Sequence, residues 1–179
     1  MRRQLDGGGL EPEFFAEVLL HLSLFLGYPP LLEGLEVLSR HAKRRIETPS
    51  LTASRRSLSA KGKRLFAGIY GNQTSRVLRN LERLHPGLAA HIVGEPYGRF
   101  MSRGRIDLCE REILNVVVLF LQGYQRQLYS HLRGAMRVGV SLPVLTGVLE
   151  HAGTLGRRSA KRVIRLLDHI GRSGAALPF

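Results

Sequence analysis

Residues 108 to 121 read LCEREILNVVVLFL and form the most apolar stretch of the sequence. Apolar residues fall on every side of the helix that this stretch would form, which is typical of a buried helix at the centre of a bundle. Glu112 and Asn115 are spaced by three, so they lie on one face of that helix. A carboxylate on so apolar a helix must find a partner or take up a proton. The stretch therefore predicts the centre of the fold and a buried polar site within it.

Further helices are predicted on both sides of this stretch, where apolar residues recur every three or four positions. Glycine and proline residues separate these helices, and an irregular segment is expected over 94–105. No part of the sequence alternates long enough for a β-sheet, so the predicted fold class is all-α. The remaining predicted helices span about 12–26, 31–43, 63–70, 75–84, 88–93, 124–137, 142–155 and 159–170.

The chain is expected to divide into four segments. An N-terminal helical hairpin covers residues 1–43, a basic linker covers 44–61, a helical domain covers 62–170, and a tail covers 171–179. The linker is predicted from a shift in composition, because eight Lys and Arg residues fall between positions 43 and 64 against the single acid Glu47.

The N-terminal hairpin resembles the last hairpin of the chain. Residues 18–21 read VLLH and residues 148–151 read VLEH, and a glycine follows each histidine after a short apolar stretch. One interpretation is a partial duplication that places an extra copy of the closing hairpin at the N-terminus. The other is that two amphipathic helical hairpins are alike by chance.

The charge balance indicates an anionic partner. Among 179 residues, 27 Lys and Arg oppose 14 Asp and Glu, which gives a formal net charge of +13 and a sequence pI near 11.1. Such a surplus suits nucleic acid, an acidic surface or a carboxylate substrate. Nucleic acid is the least favoured of these, because a basic stretch such as 43–64 is usually a solvated surface.

Several classes of protein are excluded by the sequence. Cys109 is the single cysteine, which rules out an intramolecular disulfide, a CxxC redox pair and a cysteine-rich metal site. The first nine residues lack the apolar core of a signal peptide, and the run from 113 to 121 is too short to cross a bilayer. A soluble cytoplasmic protein without membrane contact is expected.

Four motifs between residues 97 and 153 resemble, in order and spacing, the carboxymuconolactone decarboxylase family. They are YGRFMSR with the following IDL at 97–108, REIL at 111–114, a helix carrying Gly123, Leu128, His131, Arg133, Gly134, Ala135 and Gly139, and the segment 144–153. The resemblance covers about 62–156. It implies an alkyl hydroperoxidase D-like helical bundle, here with an extra N-terminal hairpin, and a homo-oligomer, typically a trimer or hexamer.

The peroxidases of this superfamily carry a Cys-x-x-Cys pair followed by a histidine, with a glutamate in the preceding helix. Aligned here, the cysteine positions fall on Tyr124 and Gln127, the histidine on His131 and the glutamate on Glu112. A dithiol peroxidase needs a thiolate and a resolving thiol, so this activity is not expected. The chain resembles the cysteine-free branch, although Gln127 stands where the decarboxylases tend to carry a glutamate.

Tyr124, Gln127 and His131 are spaced by three and four, so they share one helix face, which could meet the face of Glu112 in one pocket. The resemblance implies His131 as the general acid/base and Glu112 as its orienting or relay partner. Tyr124 and Gln127 would then donate hydrogen bonds to a substrate. No metal and no cofactor are expected.

Arg133 or Arg99 would hold the carboxylate of the substrate.

Two alternatives give these residues no part in chemistry. Glu112 would then be the buried partner of an arginine such as Arg111 or Arg133, and His131 would be a core histidine. His21 and His151 are expected to pack or cap their hairpins rather than take part in chemistry.

Three functions follow from these expectations. The first is a cofactor-free decarboxylase or related lyase that acts on a small carboxylated lactone or similar anion. The second is a non-enzymatic basic helical oligomer that binds an anionic partner through the stretch 43–64. The third, a peroxidase-type antioxidant role by superfamily analogy, is weakened by the missing cysteines.

Overall fold

The structure, a computed structural model, describes residues 11–42, 44–156 and 159–173, and all regular secondary structure in them is helical. The predicted all-α class is confirmed. The α-helices are α1 (Pro12–Leu26), α2 (Tyr28–His41), α3 (Arg55–Tyr70), α4 (Thr74–Leu84), α5 (Leu88–Ile92), α6 (Leu108–Gln122), α7 (Gln125–Arg137), α8 (Leu142–Leu155) and α9 (Lys161–Ser173). A 3₁₀ turn (Gly71–Gln73) follows α3, and a π-helix (Val93–Met101) continues α5.

Helix α6 is the predicted central helix, and local signals in the sequence fix both of its ends. Asp107 caps its start, since the side chain accepts from the Glu110 N–H at 2.8 Å while the Glu110 carboxylate accepts from the Asp107 N–H at 2.7 Å. This reciprocal capping satisfies two backbone donors that a helix start leaves free. Gly123 ends α6 at φ 83°, a left-handed conformation that favours glycine, and α7 begins two residues later.

Three helices pack directly on α6. They are α1, α7 and α8, and each of the two hairpins is completed by its outer helix, α2 on α1 and α9 on α8. One helix of each hairpin therefore rests on the central helix. The main hydrophobic core lies among α6, α7, α8 and α9 and includes Val116, Leu119, Leu132, Leu145, Leu149 and Leu167.

A second core joins α3 to the π-helix around Phe66, Ile69 and Tyr97. The two backbones approach closely at two glycines. A Cβ atom built on Gly62 would lie 1.8 Å from the Val93 carbonyl oxygen, and one built on Gly98 would lie 2.2 Å from the Leu58 oxygen. Only glycine fits at these two positions, because backbone on the other helix cannot give way.

Two sequence predictions need correction. Helix α3 begins at Arg55 rather than at 63, so the end of the predicted basic linker is helical, and Ser54 caps it by accepting from the Ser57 N–H at 3.2 Å. The segment predicted as irregular over 94–105 is a π-helix as far as Met101. Pro96 lies inside it; proline lacks an N–H, and a wide turn of this kind accommodates the interruption.

The other boundaries agree closely with expectation. Helix α2 begins at Tyr28, because its prolines occupy the first turn, where a missing N–H does no harm. Helix α9 extends to Ser173, and residues 174–179 of the predicted tail lie outside the described residues. Within the described part of the chain, the helices are too short or too polar to cross a bilayer.

The close contact at Gly62 predicts a sharp difference between two substitutions on α3. Gly62→Ala places a methyl group against the Val93 carbonyl and should destabilise the protein by roughly 1–3 kcal/mol or more. Gly68→Ala is the matched control, because nothing lies within 4 Å of its added Cβ, and it should be neutral or stabilise by up to about 1 kcal/mol. Urea unfolding measures both; equal stability of the two variants would show that the helices do not approach in this way.

Candidate active site

Glu112 and His131 meet between α6 and α7. The Glu112 carboxylate is fully buried, and its Oε2 lies 2.8 Å from Nδ1 of His131, whose side chain is 13% exposed. Gly134 allows this approach, since a Cβ there would lie 3.1 Å from the same Oε2. The contact predicted between these two residues from their consecutive helices is therefore present.

The hydrogen bonds assign the tautomer of His131. A carboxylate oxygen accepts, so Nδ1 carries the hydrogen and donates to Glu112. The second ring nitrogen, Nε2, forms no hydrogen bond within the described part of the chain. One ring nitrogen of His131 is thus held by a buried carboxylate while the other forms no hydrogen bond in the described structure, an arrangement suited to a general acid or base.

Asn115 connects this pair to the N-terminal hairpin. Its Nδ2 lies 3.3 Å from Glu112 Oε1 and donates to it, while its Oδ1 accepts from Nε2 of His21 at 2.8 Å. Nδ2 also lies 3.3 Å from Nδ1 of His131, but both atoms carry hydrogens and do not bond in this tautomer. Glu112 therefore receives one hydrogen bond at each oxygen.

Beyond His21 lies a buried ion pair. Nη1 of Arg111 donates to Nδ1 of His21 at 3.3 Å, and Nη2 of Arg111 lies 3.7 Å from Oε2 of Glu17. Arg103 also pairs with Glu17, its Nε donating to Oε2 at 2.8 Å. Arg111 is buried, and burial lowers its pKa to about 10, so it stays cationic at neutral pH.

His21 is neutral in this setting. Burial, followed by the nearby charge of Arg111, lowers the pKa of its imidazole to about 4. Its Nδ1 must therefore present a lone pair to Arg111, and its hydrogen must be on Nε2, facing Asn115. His21 was predicted to pack or cap its hairpin, whereas the structure places it within two hydrogen bonds of Glu112.

Two tyrosines lie close enough to Glu112 for its charge to affect them. The hydroxyl oxygens of Tyr70, from α3, and Tyr97, from the π-helix, are 3.0 Å apart. Burial raises the pKa of Tyr70 to about 12 and that of Tyr97 well above its ordinary value, and the charge of Glu112 adds to both shifts. Both groups are neutral phenols at neutral pH and can only exchange hydrogen bonds there.

The other four predicted site residues lie elsewhere. Tyr124 precedes α7 and is 56% exposed, and Gln127 is exposed in a cleft with Arg83 and Leu84. Arg99 pairs with Glu95 at 2.6 Å, and Arg133 lines a cleft of about 260 Å³ beside Arg137. None of the four forms a hydrogen bond or ion pair with Glu112 or His131 among the described residues.

Tyr124 and Gln127 therefore lie on the surface and do not contact the Glu112–His131 pair within the described structure. The turn at Gly123 leaves Tyr124 outside α7, and Gln127 is exposed in the first turn of that helix. Glu17 and His21 were not predicted as site residues, although the sequence carries a signal that they are buried. Together with Glu13 they are spaced by four on the apolar helix α1, and all three are buried.

The surroundings of Cys109 do not favour a thiolate. Its Sγ donates to the Val138 carbonyl at 3.1 Å, and burial, followed by the charge of Asp107, raises its pKa. A protonated thiol is a poor nucleophile. Among the described residues, no three His, Cys, Asp or Glu side chains come together in a way that could hold a metal ion.

Comparison of the chain with models of known families, with curated proteins and with solved structures gave no match.

The low pKa of His21 predicts a loss of stability in mild acid. The unfolded chain takes up a proton near the ordinary value of 6.5, whereas the folded protein does so only near 4, so the unfolded state gains as the pH falls through this window. Between pH 6.5 and 5 the loss should be on the order of 1–2 kcal/mol.

Urea unfolding of the wild type and of His21→Gln at both pH values measures this term, because glutamine does not titrate. His21→Gln should lose less stability than the wild type when the pH is lowered. His151→Gln, which changes an exposed histidine of α8, should lose as much stability as the wild type. The same pH dependence in His21→Gln and wild type would contradict a neutral buried imidazole.

Proposed function

We propose that the chain is a carboxymuconolactone decarboxylase-like protein with an alkyl hydroperoxidase D-like bundle, and that it catalyses cofactor-free proton transfer on a small carboxylated lactone or related anion. The single observation that carries the proposal is the 2.8 Å contact between His131 and the buried Glu112. The motif order in 97–153 and the all-helical fold support it.

The proposed decarboxylation requires the protein to deliver one proton. Decarboxylation breaks the bond between the carboxylate carbon and the lactone ring, and carbon dioxide leaves. The electron pair that remains flows into the conjugated lactone carbonyl as an enolate, and a carbon of that enolate then takes a proton. In our proposal Nε2 of protonated His131 donates this proton, and solvent restores it afterwards.

Glu112 supports both states of His131. Its Oε2 accepts from Nδ1 throughout, so the ring is held in one orientation while Nε2 gains or loses its hydrogen. The buried, hydrogen-bonded setting of the carboxylate keeps this geometry without rearrangement during the reaction.

The carboxylate of the substrate needs a cation. Arg99 is already occupied by Glu95. Arg133 is the better candidate, because its Nη1 is buried and has no hydrogen-bond partner in the described structure. Tyr124 and Gln127 remain candidates for substrate contacts at the start of α7, where they are exposed. We retain these three as the proposed substrate-binding residues.

A second candidate function rests on the surface of α3. Its basic residues Arg55, Arg56, Lys61, Lys63 and Arg64 are all exposed. A basic helix of this kind suits an acidic protein or another polyanion, as proposed for the stretch 43–64. Retention on heparin that weakens steeply with salt, and that persists in His131→Ala, would favour this binding role. The peroxidase role has less support, because Cys109 is a half-buried thiol with a raised pKa.

The enzymatic proposal predicts that the two site residues are needed for turnover. His131→Ala and Glu112→Gln should each lower the decarboxylation rate of an accepted lactone by about 100-fold or more. Carbon dioxide release from a panel of small carboxylated lactones measures the rate. His151→Ala is the matched control, since His151 is exposed on α8 and should be dispensable.

Circular dichroism and gel filtration should show that each variant keeps its helices and its assembly. A folded His131→Ala protein with wild-type turnover would contradict the proposed role of His131.

The family resemblance also predicts a homo-oligomer, a trimer or a hexamer. Large apolar side chains that a partner copy could cover are exposed on several helices, including Tyr28 and Leu32 on α2 and Leu84 on α4. Light scattering of a dilute sample at physiological salt should give a multiple of the chain mass of 20.0 kDa. A mass of 20.0 kDa under these conditions would show that the protein is a monomer.

A further inference from the structure

Four buried side chains form a series of hydrogen bonds that all point the same way. Arg111 donates to His21 at 3.3 Å, His21 donates to Asn115 at 2.8 Å, and Asn115 donates to Glu112 at 3.3 Å. His131 donates to the other oxygen of Glu112. The series thus begins at a cation that can only donate and ends at a carboxylate that can only accept.

We propose that His21, on the N-terminal hairpin, is a positioning residue that acts through Asn115 to orient Glu112 and, through it, His131. The inference deepens the proposed function, because it adds α1 to the same site. It assigns to the extra hairpin a role in the chemistry beyond covering the central helix.

Arg111 fixes the tautomer of His21. Its guanidinium has donors and no acceptor, so the His21 nitrogen that faces it must be unprotonated. His21 therefore carries its hydrogen on Nε2, the nitrogen that faces Asn115. A histidine fixed in this tautomer can only donate to Asn115.

Asn115 then has one permitted orientation. Its oxygen must face the N–H of His21, so its NH₂ group must face Glu112. A flipped amide would place two donors against each other at His21 and two oxygens against each other at Glu112. Both contacts are repulsive, and buried polar groups left in this state are costly.

The role of this series is orientation and not proton conduction. An imidazole or a carboxylate readily takes up and releases protons, but the amide of Asn115 does not. The proton that His131 transfers therefore cannot arrive from His21 through Asn115. What reaches Glu112 is a hydrogen-bond donor held in place at Oε1, which leaves Oε2 aligned with Nδ1 of His131.

The other polar groups near Glu112 do not replace this donor. Tyr70 and Tyr97 are neutral phenols that pair with one another at 3.0 Å. Arg111, which directly precedes Glu112 in the sequence, contacts His21 and Glu17 instead. The corresponding histidine of the closing hairpin, His151, is exposed.

The test compares His21→Phe with His21→Gln in the full-length protein. Phenylalanine keeps a ring but removes the donor, whereas glutamine can place an NH₂ group near the position of Nε2. The ¹⁵N shifts of the His131 ring report its tautomer without any substrate. In the wild type Nδ1 should carry the hydrogen, and in His21→Phe the share of this tautomer should fall to about half or less. His21→Gln should restore most of it, and His151→Phe should leave it unchanged.

If turnover is present, His21→Phe should lower kcat about 10-fold with little change in KM, and His21→Gln should recover it. An unchanged His131 tautomer in folded His21→Phe would overturn the inference. Should that variant fail to fold, the wild type decides. The ¹⁵N shifts of His21 must show hydrogen on Nε2 alone at neutral pH, and hydrogen on Nδ1 would overturn the proposal. Because these spectra need no substrate, they separate failure of the positioning role from failure of the proposed activity.

Discussion

The cost of burying charge on α6 governs this structure. Arg111, Glu112 and Asn115 occupy a helix whose other buried positions are aliphatic or aromatic, and all three are almost completely shielded from water. A buried charge is tolerated only when a partner and further hydrogen bonds offset its loss of hydration. Helix α7 therefore has to bring His131 to Glu112, and α1 has to bring Glu17 and His21 to Arg111. The arrangement of the helices around α6 follows from this requirement as much as from apolar packing.

Close approach of the helices makes the partnership possible. Gly134 lets α7 come near enough for His131 to reach Glu112, and Gly62 and Gly98 let α3 and the π-helix touch backbone to backbone. That second contact places the Tyr70–Tyr97 pair beside the same carboxylate. Glycines thus set the distances between the helices, and hydrogen bonds fix the orientation of the polar side chains between them. The site is rigid because helices, rather than loops, carry its side chains.

The interior and the surface of the molecule differ in charge. In the buried network the cations Arg103 and Arg111 are matched by the anions Glu17 and Glu112, and His21 is neutral. The surplus of +13 therefore belongs to the rest of the chain, including the exposed basic side chains of α3. A balanced interior suits controlled proton transfer at one histidine, while a positive surface favours the approach of anionic ligands. The two properties are compatible with one protein acting on a small carboxylate.

The sequence by itself determined the helical class, the central place of α6, most helix boundaries and the meeting of Glu112 with His131. These depend on local information, namely the period of apolar residues, the glycine and proline breaks, and the short turn at Gly123 that joins two consecutive helices. Only the tertiary structure decided that His21 bonds to Asn115, 94 positions away in the chain, and that Arg99 pairs with Glu95 while Tyr124 faces solvent. A pattern shows which face of a helix is buried, and the buried Glu17 and His21 gave that signal on α1. The pattern does not show which distant polar group meets that face, because the pairing of buried polar groups depends on which helices pack together.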